Sequence, residues 1–294
     1  MEWKSRRIEA ILEQALVEDR ATSDVTTAVS IDQGLRASAT ILAREDCVLS
    51  GVGSIPRFLA IFERLDGRSS GRYEVISHPE IFDGVRLHKG QAIAVIRHNA
   101  RVLLGCERVM LNLMQRMCGI ATLTRRYVEA VEETGAKILD TRKTMPGLRV
   151  LDKYAVRCGG GENHRADLSD GILIKNNHIS LGGGIEKVLE RARERRKPGQ
   201  TLDIEVRSLE ELTVALDNGA ESLLLDNMTP AEVKKAVGMV HERGIDIPTE
   251  ASGGINLENV RKYALAGPDY ISVGALTHSA VAVDLSMRIT AELY

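Results

Sequence analysis

The chain has 294 residues, enough for one large domain or two modest domains with a buried core. Hydrophobic residues make up 44% and charged residues 27%, and the formal net charge of -2 argues against general nucleic-acid binding. Neither an apolar run of roughly 20 residues nor a secretory signal is visible, so the composition predicts a cytoplasmic protein without a membrane segment. The four cysteines show no CxxC spacing and are predicted to be reduced and structural.

The first hundred residues alternate between helical and strand patterns. Apolar residues at helical spacing predict helices over residues 5–18 and 55–65. The polar segment 22–27 predicts a turn with capping chemistry. Strand patterns lie at residues 37–52, 73–76 and 91–97. This part of the chain is therefore predicted to be an α+β module without chemistry of its own.

A long helical pattern follows at residues 100–133, with a predicted break near Cys118 and Gly119. Its apolar stripe is typical of core packing, including the methionines. Arg108 and Arg116 lie on this helix. A lone arginine on a helix is usually solvated or engaged in a salt bridge, so the pattern alone assigns neither a function.

From residue 137 onward, strand and helix patterns alternate, which predicts parallel strands joined by right-handed crossovers. The predicted strands are residues 138–141, 171–175, 202–206, 222–226, 247–251 and 270–273. The predicted helices are residues 146–156, 185–195, 209–218, 230–243 and 257–265, and the glycines at 182–184 are predicted to be a flexible connection. Six units are too few for a complete eight-stranded barrel, and the pattern leaves an open sheet and an incomplete barrel equally open.

Charged residues and glycines follow these strands directly. The cations Arg142, Lys143 and Lys175 come at strand ends, and Arg165 follows three glycines and a histidine, His164. Because the carboxyl ends of parallel strands meet at one edge, we expect these side chains to converge on a polyanionic ligand.

Two carboxylates and a glycine loop complete the predicted site. Glu205 and Asp226 are suited to Mg²⁺, which prefers carboxylate oxygens and keeps several waters; the alternative is a salt bridge to Lys143 or Lys175. The segment Ser252, Gly253 and Gly254, before the predicted helix at residue 257 and ahead of Gly274, is typical of a phosphate-binding loop.

Longer blocks of sequence carry a family resemblance. ILDTRKTMPGLR, KYAVRCGGGENHR and LIKNNHI resemble the signature blocks of the quinolinate phosphoribosyltransferases, and EDRATSDVTT, ERVMLNLMQRMCGIATLT, LLLDNM, EASGGI and YISVGALTHS extend the resemblance over most of the chain. The resemblance implies an α/β fold, an incomplete α/β barrel with an N-terminal α+β domain. The implied domains are residues 1–115, 116–276 and a C-terminal segment, 277–294, that folds back on the N-terminal domain.

The activity implied by the resemblance is transfer of phosphoribose from phosphoribosyl pyrophosphate to quinolinate with decarboxylation, with Mg²⁺ as cofactor. The implied quinolinate-binding residues are Arg142, His164, Arg165, Lys175 and Arg108, the last contributed by a neighbouring subunit of a homodimer, alone or within a hexamer. The implied phosphoribosyl pyrophosphate-binding residues are Lys143, Lys175, Ser252, Gly253, Gly254, Gly274 and His278. The resemblance gives catalytic roles to Lys143, Arg108 and the proposed metal ligands Glu205 and Asp226.

Two alternatives stay open at this point. A paralogue of the same fold would transfer phosphoribose to another acceptor, although Arg142, His164 and Arg165 favour a dicarboxylate. A non-enzymatic barrel that binds a sugar phosphate would need the phosphate loops but neither the cation cluster nor the carboxylate pair.

Overall fold

A computed structural model describes residues 1–67 and 72–292. Its α-helices are α1 (Arg6–Glu18), α2 (Val25–Ser30), α3 (Ile55–Asp66), α4 (Ala100–Ala130), α5 (Arg149–Cys158), α6 (Asn176–Gly182), α7 (Ile185–Arg195), α8 (Leu209–Asp217), α9 (Pro230–Glu242), α10 (Val260–Ala264) and α11 (Ala275–His278). Its strands are β1 (Arg36–Ala43), β2 (Cys47–Val48), β3 (Glu74–Ile76), β4 (Arg86–Leu87), β5 (Ala92–Asn99), β6 (Lys137–Leu139), β7 (Ile172–Ile174), β8 (Leu202–Val206), β9 (Leu223–Asp226), β10 (Thr249–Ser252), β11 (Tyr270–Ser272) and β12 (Leu285–Ala291).

The chain divides into two compact units. The first comprises Met1–Leu123, Met145–Gly160 and Ala280–Tyr294, and the second comprises Thr124–Thr144 and Gly161–Ser279. The division is discontinuous in sequence, whereas the predicted domains are continuous stretches, and the predicted boundaries stay predictions.

The first unit contains an antiparallel sheet of order β12-β1-β5-β3. In β1 every second residue is buried, including Ala39 and Ile41, which confirms the alternation seen in the sequence. The register of β1 with β12 runs from Ala37 opposite Ala291 to Ala43 opposite Leu285. The last described strand therefore completes the sheet that begins at residue 36.

The polar segment near residue 24 is helical rather than a simple turn. Residues Ala21–Ser23 form a 3₁₀ helix and α2 follows at once, its first turn capped by Asp24, whose side chain accepts hydrogen bonds from the backbone N–H groups of Thr26 and Thr27. The capping chemistry was correctly predicted. The prediction of a simple turn was wrong, because the same capping residue begins a short helix.

Helix α4 runs unbroken for 31 residues, so the predicted break at Cys118 and Gly119 is wrong. A Cβ atom on Gly119 would overlap the backbone carbonyl of Val281, and one on Gly105 would overlap the ring of Phe62. Both glycines lie where another part of the first unit packs directly on the helix. They permit close approach and do not interrupt the helix.

Replacing Gly119 by Ala should lower the free energy of unfolding by about 3 kcal/mol, because the new methyl group overlaps backbone atoms that have little room to move. Urea unfolding followed by circular dichroism measures the change. The matched control is Gly238→Ala in α9, where nothing lies within 4 Å of the new Cβ atom. That variant should gain roughly 0.5–1 kcal/mol from helix propensity. Equal effects at the two glycines would contradict the packing explanation.

The second unit contains a parallel six-stranded sheet of order β6-β11-β10-β9-β8-β7. From β7 to β11 each strand lies beside its predecessor, and β11 then pairs with β6, the first strand. A doubly wound sheet would instead reverse its order at a switch point. The order is therefore that of an α/β barrel left open between β6 and β7, and the fold prediction is confirmed.

The predicted and observed bounds of helices and strands agree best where the periodicity of the segment itself determines the element. The predicted limits of β8 and α7 match the structure, while α5 begins at Arg149 rather than at residue 146. Helix α6 was not predicted. Gly183, with φ of 88°, ends α6 and Gly184 precedes α7, so the predicted flexible connection is a defined helix junction.

Two general properties bear on the environment of the chain. Within residues 1–67 and 72–292, each helix is too short or too polar to cross a bilayer. The four cysteines are free thiols, as predicted, and burial raises the pKa of Cys106 well above its usual range.

Candidate active site

A cavity of about 530 Å³ lies at the carboxyl edge of the parallel sheet. Its walls come from described residues of the second unit: Thr141, Arg142, Lys143, His164, Arg165, Leu173, Lys175, Glu205, Leu224, Asp226, Glu250, Ser252, Gly253, Gly254, Ile255, Ser272, Val273, Gly274, Ala275 and His278. Every predicted site residue except Arg108 belongs to this set. Arg108 lies exposed on α4 in the first unit, and Arg116, on the same helix, forms a two-point salt bridge with Asp152.

Strand register explains why the carboxylates meet. Glu205 in β8 and Glu250 in β10 are both aligned with Leu224 of β9, which lies between them. Asp226 is aligned with Ser252 two residues further along. Successive layers of the barrel interior therefore carry a Glu pair and then an Asp–Ser pair, and all four side chains line the cavity.

A salt bridge joins two of the predicted residues. The Nζ atom of Lys175 is 3.8 Å from Oε2 of Glu205, whose side chain is 11% exposed. The salt-bridge alternative considered for Glu205 is therefore present. It leaves the second carboxylate oxygen of Glu205 for another ligand, so the magnesium hypothesis is not excluded by it.

Two arginines of the cavity lie close together, and the carboxylates near Arg165, Asp203 and Asp170, only partly offset this. Burial lowers the pKa of Arg165, and the neighbouring Arg142 guanidinium lowers it further. The Nε atom of Arg142 is buried and has no hydrogen-bond partner among the residues that the structure describes. Two like charges and an unpaired donor in one cavity are the arrangement that an anionic ligand would stabilise.

A fully buried carboxylate holds the loop that carries His164 and Arg165. Asp140, directly after β6, accepts hydrogen bonds from the backbone N–H of His164 at 2.8 Å and from the side-chain amide of Asn163 at 2.7 Å. Glu162 pairs with Leu139 as an isolated parallel bridge. The loop is thereby attached to the open edge of the barrel.

Glycine geometry shapes the opposite wall. A Cβ atom on Gly274 would lie 3.0 Å from Cδ of Lys143 and 3.1 Å from Nε2 of His278, so glycine lets both side chains lie close to the backbone without displacement. Gly253 and Gly254 both have positive φ, 95° and 64°. Consecutive residues of this kind can direct their backbone N–H groups to one point, as phosphate-binding loops do.

The helix expected directly after this loop is displaced. α10 begins at Val260 rather than at residue 257 and has only five residues. The side chains of Asn256 and Asn259 instead accept hydrogen bonds from backbone N–H groups of residues 256–259. Phosphate binding by this loop would therefore depend on backbone N–H groups rather than on a helix terminus.

Sequence reasoning assigned no role to two acids near the cavity, one buried and one half-buried. Glu250 lies in β10, 9% exposed, with Oε2 at 3.4 Å from Nε2 of His164. Asp203 lies in β8, and burial raises its pKa against the opposing effect of a Ser222 hydrogen bond. A charged residue inside a predicted strand is the signal that could have found both.

Family models agree with this architecture. The model described as quinolinate phosphoribosyl transferase, C-terminal domain, matches residues 120–288, and the corresponding N-terminal domain matches residues 24–118. The chain belongs to the quinolinate phosphoribosyltransferase family. The resemblance carried by the sequence blocks is thus confirmed.

Individual members of the family match over nearly the whole chain. The nicotinate-nucleotide pyrophosphorylase (carboxylating) of Mycobacterium leprae is 42% identical over 279 residues, 95% of each chain. The chloroplastic enzyme of the same name from Arabidopsis thaliana is 40% identical and covers 97% of this chain and 84% of the relative. The crystal structure of nicotinate-nucleotide pyrophosphorylase from Ehrlichia chaffeensis superposes with a TM-score of 0.86 at 36% identity, covering 96% of this chain and 98% of that one.

Proposed function

We propose that this member of the family transfers phosphoribose from phosphoribosyl pyrophosphate to quinolinate, giving nicotinate mononucleotide, pyrophosphate and CO₂. The observation that carries the proposal is the close pair Arg142 and Arg165, with the Arg142 Nε atom buried and unpaired among the described residues, in a cavity that also holds Glu205 and Asp226. The relatives described above are named for this pyrophosphorylase activity. A cytoplasmic location is part of the proposal.

The dicarboxylate end of the cavity is assigned to its arginines. Arg142 and Arg165 meet the two carboxylates of quinolinate, since a guanidinium stays charged and can bind a carboxylate through two parallel hydrogen bonds. Lys175 adds a point charge and, through Glu205, joins this end of the cavity to the sugar end. His164 lies beside Arg165 in the same loop.

The phosphoribosyl end is assigned to the glycine-rich wall. Ser252, Gly253 and Gly254 bind the 5-phosphate through backbone N–H groups, and Lys143 and His278, held beside Gly274, bind the pyrophosphate. The hydroxyl of Thr277 donates a hydrogen bond to the Lys143 carbonyl at 2.8 Å, which fixes the backbone that carries this lysine.

Catalysis by these residues is alignment and charge stabilisation. The quinolinate nitrogen forms a bond to C1 of the ribose while the bond from C1 to pyrophosphate breaks, with positive charge developing on the sugar. Lys143 stabilises the departing pyrophosphate. The quaternised ring then stabilises the electron pair left when the adjacent carboxylate departs as CO₂. A proton binds to the ring carbon that carried this carboxylate. Decarboxylation therefore follows transfer.

Magnesium fits the carboxylate pair. Glu205 and Asp226 project from adjacent strands into the cavity, and the described residues form no cluster of three or more His, Cys, Asp or Glu side chains able to hold a metal alone. Mg²⁺ commonly takes one or two protein carboxylates and completes its shell with water and substrate phosphates. When bound, it would neutralise charge on the pyrophosphate.

Replacing Glu205 or Asp226 by Ala should raise the Mg²⁺ concentration for half-maximal rate about tenfold or more, because a carboxylate ligand is lost. Steady-state rates across a magnesium titration measure it. Glu221→Ala, which removes an exposed partner of Arg196 in the same unit, is the control and should leave the titration unchanged. Unchanged titrations in both cavity variants would argue against these ligands.

Purified protein given quinolinate, phosphoribosyl pyrophosphate and Mg²⁺ should release CO₂ and pyrophosphate in equal amounts. Nicotinate lacks the second carboxylate that one of the paired arginines would bind, so its kcat/KM should be lower by about 100-fold or more. A coupled assay of both products measures this. Tight binding of phosphoribosyl pyrophosphate without turnover of quinolinate would favour the paralogue with another acceptor, and binding of sugar phosphate without any transfer would favour the non-enzymatic barrel.

The proposal includes a homodimer, alone or within a hexamer, in which Arg108 of one subunit completes the quinolinate site of another. Its support is the family resemblance together with the exposed position of Arg108 on α4. An additional guanidinium would match the charge of a dicarboxylate.

Mixing inactive Arg108→Ala with inactive Lys143→Ala subunits should restore up to about a quarter of the wild-type activity, since some sites in mixed dimers contain both wild-type residues. Rates after co-refolding or subunit exchange measure the recovery, with each variant alone as the control. Mixed dimers that form, as shown by differently tagged subunits, yet stay inactive would contradict the shared site.

A further inference from the structure

The ring of His164 is held at both nitrogens by protein atoms. Nδ1 accepts a hydrogen bond from the backbone N–H of Arg165 at 2.7 Å, and Nε2 lies 3.4 Å from Oε2 of Glu250. A nitrogen that accepts a backbone N–H carries no proton, so the proton of the ring belongs on Nε2, facing the carboxylate. This arrangement is that of a neutral imidazole.

Glu250 is poorly compensated for a buried carboxylate. Its Oε1 atom is buried without a hydrogen-bond partner among the described residues. Glu250 also lies near a second acid, Asp203, whose pKa is raised by burial and further by the negative charge of Glu250. An apolar side chain at this position in β10 would cost less stability than a half-satisfied carboxylate. The presence of a Glu at this position therefore points to a role in the site rather than in stability.

The contacts of His164 lead directly to the substrate-binding arginine. Asp140 fixes the backbone N–H of His164, and the ring in turn fixes the backbone N–H of Arg165. Glu250, 3.4 Å from Nε2, is placed to set the direction of the ring. Misorientation of the ring would release the backbone of Arg165, whose guanidinium lines the cavity.

We propose that Glu250 is a positioning residue: it orients a neutral His164 through Nε2, and His164 fixes the backbone of Arg165 for binding of the substrate carboxylate. The inference rests on the proposed function. It adds that the positive charge at the dicarboxylate end comes from Arg142, Arg165 and Lys175. His164 contributes geometry to that end of the site.

The opposing reading is an imidazolium paired with Glu250, acting as a further cation for quinolinate. It requires a proton on Nδ1, which would then face the backbone N–H of Arg165, donor against donor. The two readings differ in what they need from residue 250. Orientation needs only an oxygen acceptor, whereas an ion pair needs the negative charge.

Kinetics of Glu250→Gln and Glu250→Leu separate these readings. Gln keeps an oxygen that can accept from Nε2, so its KM for quinolinate should stay within about threefold of wild type, while Leu should raise that KM about tenfold or more. The KM for phosphoribosyl pyrophosphate should change less than about twofold in both. The Tm of the Leu variant should not fall, and Glu211→Gln, on α8, is the control for an unrelated Glu.

Nuclear magnetic resonance of the His164 ring nitrogens gives a readout that needs no turnover. Wild type and Glu250→Gln should show one protonated nitrogen, Nε2, and one unprotonated nitrogen at neutral pH, and Glu250→Leu should lose this fixed pattern. The proposal is overturned if both nitrogens are protonated in wild type, if Gln is as impaired as Leu, or if Leu is unimpaired. Failure of wild type to use quinolinate would instead refute the proposed function, and the ring spectra would still decide the orientation.

Discussion

The common direction of six parallel strands is the constraint on which the site of this protein depends. It places the carboxyl ends of strands that lie far apart in sequence at one edge, so that Glu205, Asp226 and Ser252 meet through register alone. The same geometry forces cations together at that edge. Burial and the neighbouring Arg142 together lower the pKa of Arg165, a cost that an anionic ligand would offset.

The gap in the barrel leaves two strand edges that need other hydrogen-bond partners, because β6 and β7 are not paired with one another. Part of the gap is covered by the loop after α5, through the bridge between Leu139 and Glu162 and through the buried carboxylate of Asp140. This loop carries His164 and Arg165. A structural need, attachment of a loop to an open strand edge, and a functional need, placement of an arginine, are met by the same contacts.

Small residues decide several of the close approaches in the second unit. Gly274 allows Lys143 and His278 to lie against the backbone, and Gly253 allows a loop conformation that a side chain would block through Asn227. The side chains of Lys143 and His278 and backbone N–H groups are therefore available on the wall assigned to phosphate. The positive charge at that wall is carried by Lys143, and the absence of a side chain at Gly274 leaves space for it.

The sequence by itself determined the α/β class, the family and most residues of the cavity, because periodicity is local and long blocks of residues are specific. It gave the bounds of β8 and α7 for the same reason. Tertiary structure alone decided that α4 continues through Gly119 and that α10 starts late. It also decided the pairing of His164 with Glu250, since contacts between residues distant in the chain depend on packing and strand register, which no local pattern contains.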